Sequence, residues 1–254
     1  MKILCTKMKL ISRVIALVLV AILLTSLVRV TNAGTVYFGY AKREVPIYSV
    51  DTSEKKVALT FDAAWGSDKT SKIVEILKEN GVVGTFFLVG FWVEQNENLV
   101  KLIDDAGFDI GTHSNTHPKM STLSEKGIKE ELETSMNLIT NITGKTVKFF
   151  RPPFGDYNDT LINVAGSLGL KTIQWDVDTL DWKGLSANEI LSRIKASAKN
   201  GSIILCHNNS DHILEALPLV ISHLKSEGYS MVKISELVYE KDYYIDNNGL
   251  QKLK

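Results

Sequence analysis

Two histidines four residues apart, His113 and His117 in His113-Ser114-Asn115-Thr116-His117, carry the side-chain type of a shared metal site. Neutral imidazole is a good ligand for zinc and its neighbours. In an extended chain the two rings would stand roughly 13 Å apart, too far for one ion. On a helical turn, side chains four apart come within about 5–6 Å. Pro118 disfavours helical geometry at His117, so the sequence predicts a short, loop-bound turn. A pair of hydrogen-bonded surface histidines is the plainer alternative.

Other polar residues recur at one kind of place, the end of a short apolar run. Asp62 follows Leu59-Thr60-Phe61, and His113 follows Asp109-Ile110-Gly111. Arg151 follows Phe149-Phe150, Asp178 follows Gln174-Trp175, and His207 follows Ile204-Leu205-Cys206. Singly, each has an ordinary reading: Asp62 as a helix N-cap or loop carboxylate, Arg151 as a surface cation on a stiff Pro152-Pro153 segment. Together they are the set expected where strand ends converge on one face, as in β/α barrels. Leu205 and His207 alternate onto one side of their strand. Cys206, on the other side, reads as a small buried hydrophobe. His212 and His223 fall in or beside a helical stretch and are assigned no role.

The elements that must position these residues alternate regularly. Apolar runs rich in β-branched and aromatic residues occupy 57–61, 82–89, 108–110, 147–150, 170–175 and 202–206, with a weaker one at 229–232. Between them lie helical stripes, one through Ile73, Ile76 and Leu77 to Gly81, another through Leu99, Leu102, Ile103 and Ala106 to Gly107. A longer helix is expected from near Ser121 to near Gly144, and others at 159–168, 186–199 and 212–227. Such alternation predicts an α/β fold, a distorted (β/α) barrel with about seven strands in a single catalytic domain. An open doubly wound sheet is the alternative that periodicity leaves standing. The catalytic domain is placed at 55–240, after a linker at 34–54 and before a polar C-terminal tail at 241–254.

Residues 1–33 have a different character. Lys2, Lys7, Lys9 and Arg13 precede an apolar run from Val14 to Val28, and Thr31-Asn32-Ala33 supplies small residues before Gly34. That order is expected of a signal peptide or a membrane anchor, with the domain secreted or held on the outer face of the cytoplasmic membrane. Lys and Arg balance Asp and Glu at 29 each, which gives no electrostatic case for nucleic acid. Cys5 and Cys206 are the only cysteines, so the fold must rest on its core rather than on disulfides.

The short motifs, taken in order, resemble those of the polysaccharide deacetylases, carbohydrate esterase family 4. They are Thr60-Phe61-Asp62, His113-Ser114-Asn115-Thr116-His117, Arg151-Pro152-Pro153-Phe154, Asp178-Thr179-Leu180-Asp181-Trp182 and Leu205-Cys206-His207. The resemblance covers roughly residues 55 to 240 and implies metal-dependent removal of acetyl groups from a carbohydrate polymer, peptidoglycan first, chitin oligomers or xylan as alternatives. It implies a divalent metal on His113 and His117, commonly zinc, with cobalt, manganese or nickel as substitutes. Asp62 would be the base, Arg151 its orienting cation, and His207 the acid, held by Asp178. The Phe154 N–H would meet the oxyanion, and Trp182 and Leu205 would wall the groove.

One departure stands out. The family has a second, metal-ligating aspartate directly after the first, and here that position is Ala63. Asp68 is the nearest downstream acid and a candidate third ligand. A catalytically impaired carbohydrate-binding relative is therefore also implied. A metal-free glycosidase using Asp62 with Asp178 or Asp181 leaves the histidine pair unexplained. The expected partner is the polymer, with no nucleic acid, and the expected state is a monomer.

Overall fold

The computed structural model describes residues 15–22 and 43–254. Residues 15–22 form a helix, α1, within a unit spanning Met1–Lys42. Among the described residues no helix is long and apolar enough to cross a membrane, and most of the expected signal or anchor lies outside them.

The second unit, Arg43–Lys254, is organised around β2, Lys56–Ala63. Every residue of β2 after Lys56 is buried, as expected of a parallel strand covered on both faces. Val57, Leu59, Phe61 and Ala63 join the large apolar cluster beneath the helices. Thr60 and Asp62, one residue out of phase, point to the opposite side.

Strands β3 (Thr85–Leu88), β4 (Asp109–Thr112), β5 (Phe149–Phe150) and β6 (Lys171–Thr172) follow on one side of β2. On the other side lie β8 (Ile203–His207) and then β7 (Val177–Asp178). All these pairings are parallel, and β9 (Ser230–Met231) adds to the start of β2. The result is the expected distorted barrel, a curled parallel sheet of seven strands in the order β6-β5-β4-β3-β2-β8-β7. Bridges from Ile47 to Ile173, just after β6, and from Ser49 to Ser202, just before β8, tie the segment ahead of β2 to both sides of the sheet.

Helices α2 (Thr70–Glu79), α3 (Gly90–Gln95), α4 (Glu97–Asp105), α5 (Glu125–Thr143), α6 (Asp159–Ser167), α7 (Ala187–Ser197), α8 (Ile213–Ser226) and α9 (Ile234–Leu237) connect the strands. The start of α5 differs from expectation. Ser121 lies in a 3-10 turn, and Ser124 is the cap, its hydroxyl accepting the Gly127 N–H at 3.2 Å.

Two peripheral readings are corrected. The stretch 241–254 is a hairpin rather than a tail, with β10 (Tyr243–Ile245) antiparallel to β11 (Leu250–Leu253). Its turn is built by Asp246, whose Oδ1 accepts from Asn248 N and Leu250 N, and by Gly249 at φ +79°. The described part of the expected linker is also structured: Ser49–Val50 forms β1 against β11, and Ile47 and Val50 are buried. Burial of those two apolar side chains holds the segment to the domain.

Candidate active site

Register brings the polar residues together. Asp62 on β2 is the Cα partner of His207 on β8, and Thr60 is the partner of Leu205. Side chains at equal register on parallel neighbours share a face, so the carboxylate and the imidazole meet at the C-terminal rim of the sheet.

Arg151 leaves β5 and enters the interior, fully buried. Its Nη1 donates to Asp62 Oδ1 at 2.7 Å and to Thr60 Oγ1 at 2.8 Å, and Nη2 donates to Gln174 O at 3.1 Å. Phe87 and Trp175 cover the guanidinium, with ring centroids at 4.2 and 5.5 Å. Burial alone would raise the Asp62 carboxyl, but Arg151, His113 and His207 outweigh it and hold the group below the usual carboxylate range.

His113 and His117 converge without a helix. The loop turns through two left-handed residues, Ser114 at φ +71° and His117 at φ +59°, each costing on the order of 1–3 kcal/mol that the surrounding contacts must offset. His113 Nδ1 donates to Arg151 O at 2.7 Å, which fixes the tautomer and leaves a lone pair on Nε2. His113 Nε2 lies 3.3 Å from His117 Nε2 and 3.5 Å from Asp62 Oδ2. Two ligands at about 2.0–2.1 Å from one tetrahedral ion stand about 3.3–3.4 Å apart, so the pair fits a shared cation. His117 Nδ1 is buried without a partner. Burial pushes both imidazoles down, His117 to about 4 with help from His113, and so keeps them neutral and able to ligate.

A third protein ligand is not preassembled. Among the described residues no group of three His, Cys, Asp or Glu side chains is arranged to close on one ion. Asp62 is the acid nearest the pair, but Arg151 holds its Oδ1. Asp68, the expected candidate, is exposed and does not line the cavity, because Gly66 at φ +68° turns the chain outward first. Ala63 is fully buried in the apolar cluster.

The orienting acid for His207 is also corrected. Asp181, not Asp178, accepts the Nδ1–H of His207 at 2.7 Å and its backbone N–H at 2.8 Å. Leu180 at φ +52° folds the chain back after β7 and tucks Asp181 beneath the imidazole. Asp178 lines the cavity, but its Oδ1 accepts the Leu180 N–H at 2.9 Å. Burial opposes protonation of His207, and the hydrogen bond and charge of Asp181 overcome it, raising the imidazole above its ordinary value. Cys206, on the far side of β8, is buried, and its thiol is pushed up by that burial, so it is inert.

These groups surround a cavity of about 450 Å³. Asp62, His113, His117 and His207 line its floor, and Leu205 and Trp175 its wall. Trp65, Phe154 and Trp182 form an exposed rim at 57%, 62% and 59% exposure. Phe154 stands on a left-handed turn at φ +61°, its ring edge-on to His117 with centroids 4.6 Å apart. Trp65 meets His117 from another side at 4.9 Å. Sequence reasoning missed Trp65 and Trp175. Their signal was only their place beside Asp62 and Asp178.

A family profile for polysaccharide deacetylases matches residues 49–173. A peptidoglycan-N-acetylmuramic acid deacetylase of Bacillus subtilis is 34% identical over 77% of this chain and 76% of its own length. A peptidoglycan-N-acetylglucosamine deacetylase of Listeria monocytogenes is 35% identical over 78% of this chain and 42% of its own. The chain spans 42% to 61% of the length of several curated relatives it matches. Among solved structures, a carbohydrate esterase family 4 pseudoenzyme from Bacillus anthracis is 39% identical over 76% of this chain and 68% of that one, with a TM-score of 0.74. A mutant of that pseudoenzyme, described as having restored enzymatic activity, aligns with the same TM-score at 40% identity, over 76% of this chain and 71% of that one.

Proposed function

The chain belongs to the polysaccharide deacetylase family, carbohydrate esterase family 4, and from that premise we propose that it hydrolyses acetyl groups from an extracellular carbohydrate polymer, most directly the amino sugars of peptidoglycan. The observation that carries this reading is the meeting of Asp62, the histidine pair and His207 around one cavity, with Asp62 held ionised by Arg151 at 2.7 Å. An outer location is supported by the basic, apolar, small-residue order of the N-terminal segment. Chitin oligomers and acetylated xylan are alternative substrates of the same chemistry.

Each residue of the site has a separable task. A divalent cation held by Nε2 of His113 and His117, zinc above cobalt, manganese or nickel, would supply Lewis-acid polarisation of the acetyl carbonyl and a more acidic water. Asp62 Oδ2 accepts the proton of the attacking water, while Arg151 keeps the carboxylate charged and aimed. The Phe154 N–H donates to the developing oxyanion. His207, protonated and held through Nδ1 by Asp181, gives its Nε2 proton to the departing nitrogen or oxygen of the sugar. Trp182 and Leu205 flank the sugar ring.

Acetate release from peptidoglycan strands, chitin oligomers and acetylated xylan, with and without added divalent metal, tests the reading. A metal-stimulated release from one of them supports it, and none from any would overturn it. A second reading, a carbohydrate-binding relative with impaired catalysis, is favoured by Ala63. It predicts glycan binding without turnover in the same assay.

A further inference from the structure

We infer that Glu131, on α5 and outside the cavity, is a positioning residue that sets the spacing of the His113–His117 pair. Its carboxylate accepts three hydrogen bonds from the loop between the histidines. Oε2 takes the N–H of Asn115 and of Thr116, each at 2.8 Å, and Oε1 takes the Thr116 hydroxyl at 2.6 Å. Two successive amides aimed at one oxygen make an anion niche, and a glutamate of the same chain fills it.

The other side of the loop is held as well. At the start of α3, Gly90 N–H donates to Ser114 O at 3.0 Å and Phe91 N–H to Asn115 O at 3.2 Å. A Cβ on Gly90 would displace the Asn115 side chain and press on its Cα at 3.0 Å, so glycine favours this close approach. One turn beyond Glu131, the Ser135 hydroxyl accepts from Thr112 Oγ1 at 2.7 Å, and Thr112 Oγ1 accepts the Ser114 N–H at 3.2 Å. Ser114 Oγ in turn accepts the His117 N–H at 3.0 Å. Thus α5 grips the loop directly through Glu131 and, one helical turn on, through Ser135 by way of Thr112, and α3 grips its carbonyls.

That grip answers a specific need. Ser114 and His117 sit in the left-handed region, which only a surrounding hydrogen-bond frame sustains for such residues. Without Glu131 the two amides and one hydroxyl lose their acceptor, and the loop is free to relax towards ordinary φ values. His117, the residue leaving the loop, would then move away from His113. His113 is held independently by Leu88 O and Arg151 O and would stay.

The role rests on the metal-dependent reading above, and the test separates the two. Wild type, Glu131→Ala and Glu131→Gln are titrated with Zn2+ by calorimetry, and amide exchange at residues 114–117 is followed in the metal-free proteins. Glu131→Ala should bind Zn2+ about 10–100-fold more weakly, with faster exchange at Asn115 and Thr116 and an unchanged global fold. Glu131→Gln should recover most of the affinity, since its Oε1 can accept both amides and its Nε2 can donate to the Thr116 hydroxyl. Thr116→Val, which removes one bond only, covers the case of a Glu131→Ala protein that does not fold. It should show a smaller loss in the same direction. Wild-type affinity and exchange in Glu131→Ala, or in Thr116→Val if that stands in, overturn the inference. A wild type that takes up no Zn2+ overturns the metal reading and this role with it.

Discussion

His207 and Asp181 are joined twice, through Nδ1–H to Oδ1 at 2.7 Å and through the backbone N–H to Oδ2 at 2.8 Å. The first bond fixes the tautomer and favours imidazolium, and the second locks the carboxylate to the strand that carries the histidine. Asp181→Asn keeps the shape and removes the charge. Turnover should fall by about 10²-fold or more, because the acid loses both orientation and protonation. Since Asp181 raises His207, the alkaline limb of the pH–rate profile should move to lower pH. Stability follows the same sign: the charge contribution is present below the unfolded-state value of about 6.5 and is lost as pH rises through the raised folded one. The gap in stability between wild type and variant should therefore narrow in alkali. A profile that does not move would make Asp181 a structural residue.

Arg151 and Asp62 form a buried pair, and breaking one side leaves the other charged and unpaired. Arg151→Met should cost about 3–5 kcal/mol in denaturant unfolding. Adding Asp62→Asn should recover part of that loss, because a neutral amide needs no cation. No recovery in the double variant would show that packing of the guanidinium against Phe87 and Trp175, rather than charge, sets the cost.

Ala63→Asp should have opposite effects with and without metal. Ala63 is fully buried among apolar side chains, so in chelator a carboxylate there is uncompensated and lowers the unfolding temperature. Ala63 faces the helix side of β2 but is its last residue, so with zinc present a carboxylate that turns past the strand end gains a cation beside the histidine pair and should raise that temperature above wild type. Scans of both proteins in chelator and in zinc decide it. A variant destabilised equally in both would mean that the side chain does not reach the ion.

Trp65 and Trp182 stand exposed at the cavity rim and offer flat apolar faces. Trp182→Ala and Trp65→Ala should each raise KM several-fold while leaving turnover near wild type, as expected when uniform binding is lost. A fall in turnover without a change in KM would place the ring in the chemistry instead.

Much of the site is legible in the chain because strand ends are legible. Buried parallel strands read as short apolar runs, and the first polar residue after each is the one that a barrel delivers to its rim. Asp62, His113, Arg151 and His207 follow from that rule. The C-terminal hairpin carried its own signal in Asn248-Gly249, hidden by the polar composition around it.

What sequence alone determined, then, is the set of polar groups, their order and the barrel that gathers them. The partners within that set were decided only by tertiary structure. Asp178 and Asp181 are equally plausible as residue types, and a single left-handed residue, Leu180, puts the second beneath His207. Asp68 is close to Asp62 along the chain, yet the turn at Gly66 carries it to the surface. Glu131 lies 14 residues past His117 and reaches the loop only because α5 packs back across β4. Periodicity reports which face of an element is buried. A hydrogen bond between side chains far apart in sequence depends on where turns send them, and turns at positive φ on ordinary residues leave almost no mark in residue type.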